Sequence, residues 1–155
     1  MTVLYIKDME DAAEAKEAAL SLIGQGADFV TGKLNAAETG LIQAAKEKHI
    51  YASGRGFDQT KIAPDLVLTN IIEDWPGMFG STADQVKAGK LFGNFVQYGY
   101  DTAPVTGAKL EYAEGKMFNP AVPEAVVKEL NDAAAKFASG AMKVVPTEND
   151  ARSGS

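Results

Sequence analysis

The sequence predicts an α/β fold, a three-layer α/β/α sandwich with a mostly parallel sheet. Two patterns carry this prediction: short apolar runs rich in β-branched residues alternate with segments of helical periodicity, and the alternation repeats roughly every 20 to 25 residues. Such alternation is typical of βαβ units with right-handed crossovers. The chain of 155 residues is long enough to bury one core of ordinary size.

The first half of the chain contains the elements on which this fold class depends. Apolar runs predict four strands, at residues 3–6, 28–31, 50–53 and 66–70. Helical spacing of alanine, leucine and isoleucine predicts two helices, at 9–24 and 36–48. Gly24 and Gly26 end the first helix, since glycine favours helix C-termini.

The second half has a less regular pattern. It predicts helices at 75–88 and 124–139, the second ended by Gly140, and strands at 92–100, 108–112 and 142–145. We therefore assign residues 1–146 to a single domain. Residues 147–155 form a polar tail, and its last four resemble a cloning remnant, so the tail is excluded from the fold.

Composition excludes several classes of function. Hydrophobic residues make up 46% and charged residues 23%, which is typical of a soluble globular domain. The net charge of −6 with no basic block argues against a nucleic-acid partner or an anionic membrane surface. The absence of cysteine excludes disulfides, thiolate nucleophiles and zinc–thiolate sites.

Catalytic patterns are weak in this sequence. The only histidine, His49, falls at the predicted end of the second helix, where a cation interacts favourably with the helix dipole. The pair Gly54-x-Gly56 lacks the third glycine of a dinucleotide fingerprint, so a turn is favoured over a phosphate cradle. We therefore predict no enzymatic activity, no cofactor and no metal. A small phosphoacceptor-like enzyme using Asp8, Asp11 or Asp58 remains an alternative.

The loops that follow the predicted parallel strands are the expected place for a ligand. In open parallel sheets, ligands bind outside the carboxyl ends of the strands. These loops carry charges of both signs, amides and aromatic rings, which suits a flat, polar small molecule. The candidate ligand-binding residues are Asp8, Met9, Lys33, Asn35, Arg55, Gly56, Phe57, Asp58, Asn70, Glu73 and Trp75. For Phe57 and Trp75, packing in the core is the competing interpretation.

Four stretches resemble the second half of lipoproteins of the basic membrane protein (BMP) family. They read AKEAALSLIGQGADFV (15–30), NAAETGLIQAAKEKHIYASG (35–54), DQTKIAPDLVLTNIIED (58–74) and MFNPAVPEAVVKEL (117–130). The resemblance covers residues 3 to 146. It implies one flavodoxin-like lobe of a type I periplasmic binding protein, the substrate-binding component of an ABC importer. Characterised members of that family bind purine nucleosides or related small molecules.

The resemblance also implies altered ligand contacts. The family often has Gly-Val-Asp-Ser-Asp-Gln where this chain has Gly54-Arg55-Gly56-Phe57-Asp58-Gln59, so its first aspartate falls on Gly56. Nucleoside-binding members have a lysine at the position of Glu73. These two changes are expected to weaken the usual nucleoside contacts.

Partners and location follow from the resemblance as expectations. In a full-length receptor the partners would be a small-molecule ligand and an ABC-transporter permease, outside the cytoplasm or anchored to the membrane. Residues 1–6 have no basic start followed by a long apolar region, so a complete chain would be cytoplasmic. A stand-alone module that has lost ligand binding and forms a homodimer is the alternative, because Trp75, Met78 and Phe79 would form an exposed apolar surface.

Overall fold

A computed structural model describes residues 1–91, 93, 96–113 and 115–143 of the chain. Helices α1 to α4 span Ala12–Gly24, Glu38–Lys48, Trp75–Lys87 and Glu124–Ala138. Strands β1 to β4 span Phe29–Val30, Tyr51–Gly56, Val67–Glu73 and Ala108–Glu111, and a 3₁₀ turn covers Tyr100–Thr102. None of the helices among the described residues combines the length and apolar character of a membrane span.

The described residues form a four-stranded sheet in the order β1-β2-β3-β4. Strands β1, β2 and β3 are parallel neighbours, and β4 runs antiparallel to β3 at the edge. The predicted α/β fold class is confirmed in this mixed form. Because the three parallel strands share a direction, their carboxyl ends meet at one edge of the sheet.

Helices α1 and α2 pack against each other and against the sheet. The Asp11 carboxylate caps α1 by accepting the amides of Ala13 at 2.8 Å and Glu14 at 3.0 Å. Helix α2 ends at His49, whose left-handed backbone (φ 55°) lets its amide bond to carbonyls of the last turn. His49 therefore lies at the predicted helix end.

The core consists mainly of small residues, which lets the two helices and the sheet approach closely. Gly40 marks the closest point, since a Cβ atom there would lie 1.8 Å from the Ala12 carbonyl oxygen on α1. The buried apolar cluster contains Ala19, Val30, Leu41, Ile42, Ala44, Ala45, Ala52, Ala63 and Val67.

The predicted strand at residues 3–6 is wrong. These residues form no strand, and the side chains of Val3, Leu4 and Tyr5 are exposed. The Glu14 carboxylate accepts the amides of Lys7 at 3.1 Å and Asp8 at 3.3 Å. These two bonds hold the N-terminal segment at the first turn of α1. An apolar pattern alone is therefore not enough to place a segment in the sheet.

Two further strand predictions fail where the structure describes the residues. Residues 93 and 96–100 contain no strand, and the Tyr98 hydroxyl instead bonds to the Met78 carbonyl at 3.2 Å and the Thr82 hydroxyl at 2.9 Å on α3. Met142 donates its amide to the Lys136 carbonyl at 3.0 Å, which folds residues 140–142 back against the end of α4. Residues 92, 94, 95, 144 and 145 of these predictions lie outside the described residues, as does the tail at 147–155.

Strands β2 and β3 are longer than the sequence predicts. Arg55 and Gly56 pair with Ile71 and Ile72 of β3, so the expected loop at 54–56 is the end of a strand. Gly54 is required there because a Cβ atom would lie 2.1 Å from the Asn70 side-chain oxygen. The expected turn is restricted to Gly56, which has φ +79° at the end of β2.

Candidate functional site: a cleft at the carboxyl edge of the parallel strands

A cleft of about 600 Å³ opens where β2 and β3 end. Two loops complete its walls, one before α1 and one between β1 and α2, and the first residue of α3 lies at its rim. The lining residues are Met9, Lys33, Leu34, Asn35, Ala36, Arg55, Gly56, Phe57, Glu73 and Trp75. A concave site of this size is typical of small-molecule binding.

Eight of the eleven sequence-predicted site residues line this cleft, namely Met9, Lys33, Asn35, Arg55, Gly56, Phe57, Glu73 and Trp75. The periodicity of the strands and the rule for parallel sheets were enough to bring them together. Leu34 and Ala36 were not predicted, although each lies beside a predicted residue in the same loop.

An ion pair forms the polar part of the cleft. Arg55 Nη2 donates to Glu73 Oε1 at 2.8 Å, and both side chains are about one quarter exposed. The pairing follows from the register, because Arg55 on β2 lies beside Ile71, two residues before Glu73 on the neighbouring strand. The indole Nε1 of Trp75 donates to Glu73 Oε2 at 3.1 Å. Glu73 therefore fixes both the guanidinium and the indole.

Aromatic and apolar side chains form the rest of the wall. Phe57 is 49% exposed and Trp75 is 55% exposed, so both rings face solvent rather than the core. The Trp75 ring stacks on Phe79, with centroids 6.0 Å apart. Both residues therefore lie in the cleft wall and not in the core, which was the competing interpretation of the sequence.

The loop that carries Lys33 and Asn35 is tied to the loop before α1. The Asn35 amide nitrogen donates to Glu10 Oε1 at 2.5 Å, and Glu10 Oε2 accepts the Ala36 amide at 3.1 Å. The Met9 carbonyl accepts the backbone amides of Asn35 and Ala37, each at 3.1 Å. These bonds hold Met9, Lys33 and Asn35 on one side of the cleft.

Three predicted site residues lie outside the cleft. Asp8 is exposed and accepts the Glu10 amide at 2.9 Å, in a turn that leads into α1. Asp58 accepts the Thr60 amide at 2.8 Å and the Asn70 side-chain nitrogen at 3.3 Å. Asp58 thus stabilises the turn after β2.

Asn70 is buried in the middle of β3, and its side chain joins three segments. Its oxygen accepts the Gln59 amide at 3.0 Å, and its nitrogen donates to the Thr60 hydroxyl at 3.0 Å and the Glu111 carbonyl at 2.9 Å. The sequence placed Asn70 in a ligand loop because strand β3 was predicted too short. Its contacts support the walls of the cleft from below.

Glu38 is an unusual buried carboxyl group that the sequence did not predict. It begins α2 and is fully buried, and among the described residues neither carboxylate oxygen accepts a hydrogen bond of good geometry, the Gly32 amide interacting with it only weakly. Burial raises the pKa of Glu38 to about 7, while the positive charge of Arg55 and the Gly32 amide pull it down only in part. An acidic residue at a helix N-terminus is ordinary in a sequence, so nothing in the pattern signals this burial.

Metal binding is not indicated in the part of the chain that the structure describes. No three His, Cys, Asp or Glu side chains cluster there in a way that could hold a metal ion. The charged groups that line the cleft are Lys33, Arg55 and Glu73. Their chemistry is that of ion pairing and hydrogen bonding to a ligand.

Comparison with known proteins agrees with this geometry. The family model for PnrA-like ABC transporter substrate-binding proteins, named Bmp, matches residues 1–144. A purine-binding protein of Brucella abortus (strain 2308) is 34% identical over 73 residues, which is 47% of this chain and 20% of that protein.

Solved structures extend the comparison to the fold. A solute-binding protein of an ABC transporter system from Aeropyrum pernix K1 gives a TM-score of 0.72 at 16% identity, over 94% of this chain and 47% of that one. A transcriptional activator of the comK gene from Bacillus halodurans gives 0.74 at 20% identity, over 89% of this chain and 46% of that one. The chain therefore spans a little under half of these structures, and a fifth of the Brucella protein.

The fold is that of one lobe of a solute-binding protein, in which strand ends and loops form the walls of an open cleft. The chain belongs to the Bmp family of PnrA-like ABC transporter substrate-binding proteins. The resemblance read from the sequence is thereby confirmed.

Proposed function

We propose that the cleft binds a flat, polar small molecule of the purine type and forms one wall of a receptor site. The observation that carries the proposal is the pairing of two exposed aromatic rings, Phe57 and Trp75, with the Arg55–Glu73 ion pair in one cleft. Aromatic faces stack on a heterocycle, while the ion pair offers a donor and an acceptor to its edge. The similarity to the Brucella purine-binding protein supports the same ligand class.

The proposed setting is that of an ABC importer. The lobe acts outside the cytoplasm, and a permease of the transporter receives the ligand. In such a receptor a second lobe supplies the facing wall, and the related solved structures are about twice as long as the part that this chain matches. A single wall buries less of a ligand than a closed cleft does, so affinities in the range of ~0.1–1 mM are expected for the chain alone.

Ligand binding can be followed at one residue, because Trp75 is the only tryptophan of the chain. We expect purine bases and nucleosides to change its fluorescence and to raise the thermal midpoint, since a ligand that binds only the folded state stabilises it. Replacing Phe57 with alanine is expected to weaken binding roughly tenfold through loss of stacking. Phe29→Ala is the matched control, with a ring 43% exposed outside the cleft. An unchanged Trp75 signal with every purine at millimolar concentration would contradict the proposal.

Self-association is a second candidate function, favoured by helix α3. No residue of α3 is buried, and it exposes apolar surface at Val86 and at Phe79, whose ring stacks on Trp75. A second copy that covers this helix would remove that surface from water.

Light scattering after size exclusion tests self-association directly. We expect a dimer at ~100 μM for the native chain and a monomer for Phe79→Ser, because the serine removes the most exposed ring of α3. A monomeric native chain at that concentration would refute the dimer.

A further inference from the structure

Among the charged and amide side chains that line the cleft, more donors than acceptors are left without a partner. A guanidinium has five N–H groups, and Arg55 donates to Glu73 through Nη2. Its other N–H groups have no acceptor among the described residues. The ammonium of Lys33 also lines the cleft, and none of the ion pairs within the described residues includes it.

The acceptors of the cleft are mostly engaged. Both oxygens of Glu73 already accept bonds, one from Arg55 and one from Trp75. Asn35 uses its amide nitrogen on Glu10, which leaves its amide oxygen as an acceptor in the cleft that Lys33 and Arg55 also line. A ligand that pairs with the remaining groups must therefore supply acceptors for the N–H groups of Arg55 and Lys33. It must also supply a donor for the Asn35 amide oxygen.

We propose that the cleft selects heterocycles that carry carbonyl oxygens, the oxopurines, over heterocycles that carry an amino group at the same position. This inference rests on the proposed function and narrows its ligand class. A ring carbonyl accepts from Lys33 or Arg55 in a charge-assisted bond, and the adjacent ring N–H is a donor for the Asn35 oxygen. An exocyclic amino group at the same position would place its N–H groups next to those of Lys33 or Arg55. Neither donor would then have an acceptor.

The selectivity has a single-residue determinant in Lys33. Arg55 is neutralised by Glu73 in the free cleft, whereas Lys33 has no such counter-charge. Removing the Lys33 ammonium therefore lowers the affinity for a carbonyl-bearing ring and leaves an amino-bearing ring almost unaffected. Methionine is the suitable replacement, since it keeps an unbranched side chain without a donor.

Binding of hypoxanthine, xanthine and adenine to the ¹⁵N-labelled chain tests the inference by NMR, which measures millimolar affinities. The indole N–H of Trp75 gives the only tryptophan side-chain signal and reports from inside the cleft. We expect both oxopurines to bind about tenfold more tightly than adenine, a difference of about 1.4 kcal/mol. In Lys33→Met this preference is expected to fall to about twofold, with the adenine affinity unchanged within twofold.

Lys90→Met serves as the matched control, because Lys90 is exposed outside the cleft and should keep the full preference. Adenine binding as tightly as the oxopurines, or equal losses in the two lysine variants, would overturn the selectivity while leaving purine binding intact. Absence of any shift at Trp75 with all three bases would overturn the proposed function as well. The two failures are therefore distinguishable.

Discussion

Replacing Gly40 with alanine is expected to destabilise the fold by about 3 kcal/mol or more. The added Cβ atom would lie 1.8 Å from the Ala12 carbonyl oxygen, which belongs to the backbone and cannot rotate away. Helix α2 must then move away from α1 and from the sheet, and this movement loosens the small-residue core that both helices share. Urea denaturation followed by circular dichroism measures the loss.

Gly80 provides the matched control for this substitution. It lies inside α3, and a Cβ atom there would meet no atom within 4 Å. Alanine at this position is expected to raise stability by up to ~1 kcal/mol, through the better helix propensity of alanine. If Gly40→Ala were as stable as the native chain, the close contact of α1 with α2 would be refuted.

Local periodicity predicts those elements whose apolar residues face a core within this chain. Helices α1 and α2 and the centres of β2 and β3 belong to this group, because their buried residues recur at helical or strand spacing. The run at residues 3–6 has an equally apolar pattern, but pattern alone does not specify a neighbouring strand. Whether a run joins a sheet depends on the hydrogen-bond partners that the fold supplies.

Topology predicted which candidate residues lie together, whereas the sequence did not predict which polar side chains are buried. The carboxyl ends of neighbouring parallel strands meet at one edge of the sheet, whichever residues surround them. Arg55, Glu73 and Trp75 therefore lie in one cleft. Asn70 and Glu38 are both fully buried, yet a sequence gives their polarity and not their surroundings. Asn70 was assigned to a ligand loop because its strand was predicted too short, and the burial of Glu38 was not predicted because polar residues are mostly exposed in proteins.

The buried carboxyl group of Glu38 predicts an unusual dependence of stability on pH. Its pKa is raised from 4.5 to about 7 in the folded state, so between these values the folded chain holds a proton that the unfolded chain has released. Stability from this group is therefore fully present below pH 4.5, falls as the pH rises from 4.5 to 7, and is level above 7. At about 1.4 kcal/mol for each pH unit, the loss is about 3 kcal/mol.

Glu38→Gln isolates this effect, because the amide keeps the shape of the neutral carboxyl group and cannot ionise. We expect the variant to be more stable than the native chain by about 3 kcal/mol at pH 8 and by only about 1 kcal/mol at pH 5. Urea midpoints at the two pH values measure the difference.

Glu47→Gln is the control, since Lys16 and Lys48 lower the pKa of the Glu47 carboxyl group. The contribution of Glu47 to stability is present above pH 4.5 and is lost only at lower pH. The Glu47→Gln variant should therefore show the same change in stability between pH 5 and pH 8 as the native chain. If the free energy of unfolding depended on pH in the same way in the native chain and in Glu38→Gln, the prediction would be wrong. The carboxyl group of Glu38 would then ionise normally in the fold, because water solvates it next to Arg55.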